Sequence, residues 1–185
     1  RFHGCLPGPA RDWLARRDRR LVVAPGLASA RLQLASGLTP GESGEDIGVL
    51  DLAGFDPLPP MVAGGAKELP HRTVLRLPAV AVLTRRASFP AQVREKLPQV
   101  IRLELDRLSP FSPDQVIYDF APVPGGKGDA RIAVDLALCR RDRVMAWLKR
   151  LSEAGSPVDQ ITWEGAWQSA NLLPPEERPR RRRPL

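Results

Sequence analysis

The stretch VIYDFAPVPGGKGDARIAVDLAL, Val116 to Leu138, decides how this chain is read. Two runs suited to extended structure, Val116 to Val123 and Ala130 to Leu138, flank the Gly-rich link Pro124 to Asp129, which is the pattern of a β-hairpin. In the second run Ile132, Val134, Leu136 and Leu138 alternate with Ala133, Asp135 and Ala137. Successive strand side chains point to opposite faces, so one face is predicted buried and the other small or polar. Gly125-Gly126-Lys127-Gly128 looks superficially like a phosphate cradle. A P-loop needs Ser or Thr after its Lys and then a helix, whereas a strand follows here, so the segment reads as the hairpin turn.

Working outward, Val93, Leu97, Val100, Ile101, Leu105 and Leu108 fall within an arc of about 140° on a helical wheel, a broad core-facing stripe. Pro98 either kinks this helix or marks where its main body starts, and Ser109-Pro110 ends it. Glu104 lies inside the apolar arc, where an unpaired carboxylate is costly, so it is expected to pair with an arginine such as Arg85 or Arg86, or with backbone. A second helix is predicted from about Arg141 to Ala154, with Val144, Trp147, Leu148 and Leu151 at i, i+3, i+4, i+7 and Gly155 just past its end. With strands at Ala79 to Phe89 and Gln160 to Trp163, the order is strand, helix, strand, strand, helix, strand. This βαββαβ order predicts two helices on one face of a mainly antiparallel sheet, the other face being free for a partner.

The first half is built of shorter pieces. Arg20 to Ala24, Ala30 to Ala35, Ile47 to Leu52 and Val74 to Pro78 read as strands, Asp12 to Arg17 as a short helix, and Gly37 to Gly44 and Pro57 to Ala66 as loops. Three regions result: a strand-rich part over 1–78, the βαββαβ module over 79–173, and a proline- and charge-rich tail over 174–185 that is expected to be extended and mobile.

The 185 residues carry 28 Lys and Arg against 21 Asp and Glu, a formal charge of +7. Five of those basic residues (Arg178, Arg180, Arg181, Arg182, Arg183) and two of the acidic ones lie in the tail, which leaves +4 on the rest. The arginine run has three readings: phosphate neutralisation on a nucleic acid, the cytoplasmic flank of a membrane span beyond Leu185, or a solvated tail. Against the first, the tail lacks aromatic or polar base readers. The two cysteines, Cys5 and Cys139, call for no disulfide framework, and a reducing compartment is the default. No stretch approaches the ~18 to 20 apolar residues that a membrane span needs, and no signal peptide opens the chain. Starting at Arg1 and stopping after an arginine cluster, it reads as a soluble piece of a longer polypeptide.

Catalytic chemistry finds little support. His3 and His71 have no ligand set around them beyond Cys5 near His3, so neither a zinc nor any other metal site is expected. Neither a Gly-x-Ser-x-Gly elbow nor a Cys/His signature occurs. Asp51-Leu52-Ala53-Gly54 at a strand end lacks the Gly, Thr and Ser that approach a nucleotide and reads as a turn.

Several of these stretches together resemble a known family. ELDRLSPFSPDQVIYDF at Glu104 to Phe120, RLP at Arg76 to Pro78, TRRASFP at Thr84 to Pro90 and NLLPPEERPRRRRP at Asn171 to Pro184 look like the cytoplasmic part of the type II secretion system L proteins, over roughly Thr73 to Pro184. That family is similar to the type IV pilus M proteins and so to actin-like ATPases. The resemblance implies a truncated actin-like, RNase H-like first part ahead of the βαββαβ module. Actin-like proteins clasp nucleotide between two lobes, and only about thirty residues follow Gly155, so the nucleotide site is expected to be lost and no cofactor or enzymatic activity is implied.

By the same resemblance the function is assembly. The domain would dock the secretion ATPase (protein E), reach protein M through membrane and periplasmic parts absent here, and sit on the cytoplasmic face of the bacterial inner membrane. A homodimer is compatible with this, and a nucleic-acid partner is not implied. Tyr118, Asp119 and Asp135 are the expected partner-binding residues, and Arg178 with Arg180 to Arg183 the membrane flank. Glu104, Arg107, Pro110 and Phe111 are expected to have structural roles. A pilus-assembly platform protein and a basic nucleic-acid-binding module stand as the alternatives.

Overall fold

The structure, a computed structural model, describes residues 19–36, 44–60, 62, 71–125 and 128–180. The helix expected at Asp12 to Arg17, the His3/Cys5 pair and Arg181 to Arg183 lie outside the described residues. The described chain is mixed α/β, with eight strands in two mainly antiparallel sheets and two α-helices. The strands are β1 (Arg19–Pro25), β2 (Ser29–Ser36), β3 (Glu45–Asp51), β4 (His71–Leu77), β5 (Leu83–Pro90), β6 (Val116–Pro122), β7 (Arg131–Arg140) and β8 (Gln160–Trp163). The helices are α1 (Leu97–Leu108) and α2 (Arg141–Glu153). The larger sheet has the order β3-β2-β1-β4-β8 and the smaller β5-β7-β6. Strand, helix, strand, strand, helix, strand is therefore the observed order from β5 onward, but β8 takes its place in the larger sheet.

The chain divides into two compact units, one built on β1 to β4 with residues 147–160, the other on residues 77–146 and 161–178. In the first, β1 pairs antiparallel with β2 and parallel with β4, and Leu21, Val23, Leu32 and Leu75 are fully buried. Such alternation is what a sheet with one covered face requires. Two polar clasps close this unit. The buried Arg150 donates to the carbonyls of Asp51 (2.9 Å) and Asp56 (2.8 Å), so Asp51-Leu52-Ala53-Gly54 is a braced turn. Asp159 Oδ2 accepts from Thr73 N at 2.8 Å, while Ser156 Oγ meets Thr73 Oγ1 at 2.5 Å and His71 Nε2 at 2.9 Å. His71 is thus a locally bonded structural histidine. α2 ends as expected: Gly155 adopts φ +82 and Ser156 N reaches back to Leu151 O at 2.9 Å.

In the second unit α1 lies on one face of β5-β7-β6. Its Leu97, Ile101 and Leu105, spaced i, i+4, i+8, pack with Phe89 of β5, Val116 of β6 and Ile132, Val134, Leu136 and Leu138 of β7. Each such side chain contributes about 1.5 to 3 kcal/mol relative to remaining in water. α1 begins at Leu97 with Pro98 in its first turn, where the missing N–H costs nothing, so of the two readings of Pro98 the helix start is the observed one. It stops at Ser109, whose extended backbone (φ −130, ψ 142) precedes Pro110 and whose Oγ accepts from Phe111 N at 3.0 Å.

Candidate docking surface

The register places the functional candidates. Tyr118 lies opposite Leu138 and packs against the core under α1, half-buried, with its phenol pKa pushed up by burial. Asp135 and Asp119 belong to the other, outer face, together with Arg86, Thr84 and Ser88 of β5 and Ile117 of β6. The structure therefore separates Tyr118 from the two aspartates, because β6 and β7 pair with Tyr118 on the same side as Leu136 and Leu138.

The outer face has two different ends. At one, Asp119 is clasped: Oδ2 accepts from Asn171 N at 2.8 Å, Oδ1 from Phe120 N at 2.9 Å, and the Trp167 indole N–H bonds the same carboxylate. Burial nevertheless pushes its pKa up, with the Asn171 and Phe120 bonds, then Arg178 and the Trp167 bond, pulling the other way. Asn171 continues the clasp, since its Oδ1 accepts from Ile161 N and Leu173 N, each at 3.0 Å. Leu172 and Leu173 are buried, and Ile117, Ala137 and Cys139 beside Asp119 are closed off from solvent. Burial drives the Cys139 thiol up to about 11, which keeps it protonated and unreactive. The expectation of a wholly free sheet face is corrected here. Asn171-Leu-Leu carries two apolar side chains that are buried, a side-chain oxygen that accepts from the Ile161 and Leu173 N–H groups, and a backbone N–H that donates to Asp119.

At the other end the face is open. Asp135 lies directly opposite Arg86, and the guanidinium is bidentate on the carboxylate (Nε–Oδ1 2.8 Å, NH2–Oδ2 3.2 Å). This bond holds Asp135 below its ordinary pKa of 3.8 and raises that of Arg86. Both side chains stay solvent-exposed, so the pair orients charge and adds little stability. An open pocket of about 330 Å³ lies between them and the Trp163–Trp167 turn, lined by Thr84, Arg85, Arg86, Asp135, Gly165 and the two tryptophans. The indoles meet edge to face, 4.9 Å apart at 87°. Arg85 donates to Leu108 O at 3.0 Å at the end of α1.

The remaining expected residues lie in different surroundings. Glu104 pairs with Arg107, one turn along α1 at 3.5 Å, and not with Arg85 or Arg86, which point to Leu108 and Asp135. Its carboxylate reaches solvent at the edge of the apolar arc, so a neighbour on the same helix suffices. Phe111 packs against the core and lies under the Arg140 guanidinium, 5.5 Å from the ring centre, while Pro110 is exposed. The tail is not extended and mobile from Pro174 onward. Pro175–Glu177 form a 3-10 turn, Glu177 pairs with Arg141, and Arg178 Nε donates to Leu173 O at 3.0 Å. Charged residues next to prolines still order when each finds a partner. Thr84, Trp163 and Asn171 are the site residues that periodicity alone does not mark, because each acts through register or a turn.

Among the described residues no helix is long and apolar enough to cross a membrane. No family model matches the chain. The type II secretion system protein L of Xanthomonas campestris pv. campestris is 35% identical over 116 residues, covering 59% of this chain and 30% of that protein. The chain therefore spans under a third of the relative it matches. The cytoplasmic domain of EpsL, an inner membrane component of the type II secretion system of Vibrio cholerae, aligns with TM-score 0.50 and 17% identity over 79% of this chain and 57% of that one. The PilM-PilN type IV pilus biogenesis complex gives TM-score 0.47 and 21% identity over 78% and 47%. The fold is thus shared with the EpsL cytoplasmic domain, and in sequence the chain resembles type II secretion system protein L.

Proposed function

We propose that this chain is a non-enzymatic cytoplasmic scaffold of the type II secretion inner-membrane platform, which recruits the secretion ATPase and couples its conformational changes to the membrane complex. The observation that carries the reading is the 35% identity to a protein L over 116 residues. The fold supports it: the smaller sheet offers an open, charged and aromatic outer end backed by a rigid core, a surface suited to holding another protein. Arg180 and the arginines after it would lie at the inner membrane, where basic residues near a span favour the cytoplasmic side. A pull-down with the N-terminal domain of the cognate ATPase, at moderate salt, tests this. Saturable binding should survive removal of residues 181–185 and be weakened by the charge reversal Arg86→Glu, at the partner of Asp135. Truncation belongs at 181 because Glu177 and Arg178 are part of the packed unit. Absence of binding together with salt-sensitive retention on DNA or RNA would move the chain to the basic nucleic-acid module.

A further inference from the structure

Resting on the docking reading, we propose how the open end is used: the first half of β5 accepts an extended, acidic segment of a partner protein as an added strand, one of whose side chains enters the pocket beside Trp163 and Trp167.

Among the described residues β5 is an edge strand, paired with β7 alone in the order β5-β7-β6. Ala133 O accepts from Val123 N at 2.9 Å, so the backbone groups of Ala133 turn toward the β6 side. In an antiparallel ladder these directions alternate, and Ser88, the register partner of Ala133, therefore turns its own N–H and C=O outward, as do Arg86 and Thr84. The far half of this edge is closed. Arg131 NH2 donates to Ser88 O at 2.9 Å, and Pro90 has no N–H to offer. Thr84 and Arg86 keep outward N–H and C=O groups with no backbone partner among the described residues. Unpaired groups on an edge are what strand addition uses, and pockets for alternate side chains supply its specificity.

Three further features select the occupant. Leu83, next to Thr84 in β5 and 41% exposed, leaves apolar surface beside the open groups, and Val80 in the turn before the strand is 94% exposed. The pocket lined by Thr84, Arg86, Gly165 and the two tryptophans lies on the same stretch of β5 and has room for an apolar or aromatic side chain. Arg86 is paired with Asp135, whereas Arg85 donates to the Leu108 carbonyl and Arg131 to Ser88, so among the described residues of this strip cations outnumber carboxylates, which suits Asp or Glu on the incoming strand. A second copy of β5 would set arginines against arginines, which disfavours pairing between like chains.

The test pans a display library of random linear peptides against the whole chain, then measures binding of the enriched peptides. Enrichment of Asp or Glu two residues from Trp, Phe or Leu is expected, with the Thr84 and Arg86 amides slowing in hydrogen exchange on binding. Thr84→Pro removes an outward N–H without breaking the ladder to β7, so it should weaken binding at least ~10-fold, whereas Thr84→Ala should not. Arg85→Glu, which leaves the edge intact, should weaken acidic peptides in particular. Enrichment of basic sequences, equal binding by Thr84→Pro, or protection elsewhere would overturn the proposal. So would self-association of the chain abolished by Thr84→Pro, since the occupant would then be a second copy. If peptides bind as expected but the ATPase domain binds Thr84→Pro unchanged, the strand-addition site stands and the ATPase is removed from it.

Discussion

Asp119 and Asp135 are two aspartates on one face of one three-stranded sheet, on neighbouring strands, and they do opposite things. Asp119 is half-buried and spends its oxygens on the Asn171 and Phe120 amides and the Trp167 indole. Asp135 is exposed and, among the described residues, meets only Arg86. The difference lies in what the chain lays over each: Trp167 to Leu173 over the first, open solvent and a pocket over the second. A strand position therefore fixes the face a carboxylate occupies, while segments distant in sequence decide whether it holds the fold or is left for a partner.

The comparison breaks most completely if the shared floor is removed. Leu136→Ala empties a fully buried site under α1 and should cost about 2 to 5 kcal/mol in denaturant unfolding, with both ends of the outer face lost together. Asp119→Ala should cost about 1.5 to 3 kcal/mol, because hydrogen bonds to a charged group vanish and the Asn171 amide is left without its acceptor. An Asp119→Ala protein as stable as the wild type would mean that the clasp is incidental.

Titration sharpens the contrast. Carboxyl NMR should find Asp119 titrating above 3.8 and Asp135 below it. The linked stabilities have opposite signs. Asp119 binds its proton more tightly folded than unfolded, so its contribution falls as pH rises from the unfolded value through the folded one. That of Asp135 is present above 3.8 and is lost as pH falls through its lowered folded value. Arg86→Ala should return Asp135 toward 3.8 and leave Asp119 in place. Added salt should do the same in part, since the exposed pair is screened and burial is not. The smallest effect is thermal: Asp135→Asn should leave the melting temperature within error of wild type, because an exposed pair contributes little.

Much of this was legible in the chain. The alternation of Ile132, Val134, Leu136 and Leu138 marked the buried face, and the Leu97, Ile101, Leu105 spacing marked the helix that covers it. Pro98 and Gly155 marked a helix start and end. What escaped depended on register and on long-range cover. Tyr118 and Asp135 share a hairpin, yet one extra residue of offset puts them on opposite faces. The partner of Glu104 turned on a helix rotation that leaves its carboxylate at the solvent edge, beside Arg107. The role of Asn171 could not be read from composition, because a loop residue whose side-chain oxygen accepts from Ile161 N and Leu173 N and whose backbone N–H donates to Asp119 shows no periodicity.

The most direct measurement is a hydrogen-exchange footprint of the whole chain with and without the N-terminal domain of its cognate secretion ATPase. The account predicts new protection at Thr84 to Arg86 and around Asp135, with the Asp119–Asn171 clasp already slow and unchanged. Protection over α1 with β5 unaffected would contradict it and place the working surface on the opposite side of the sheet.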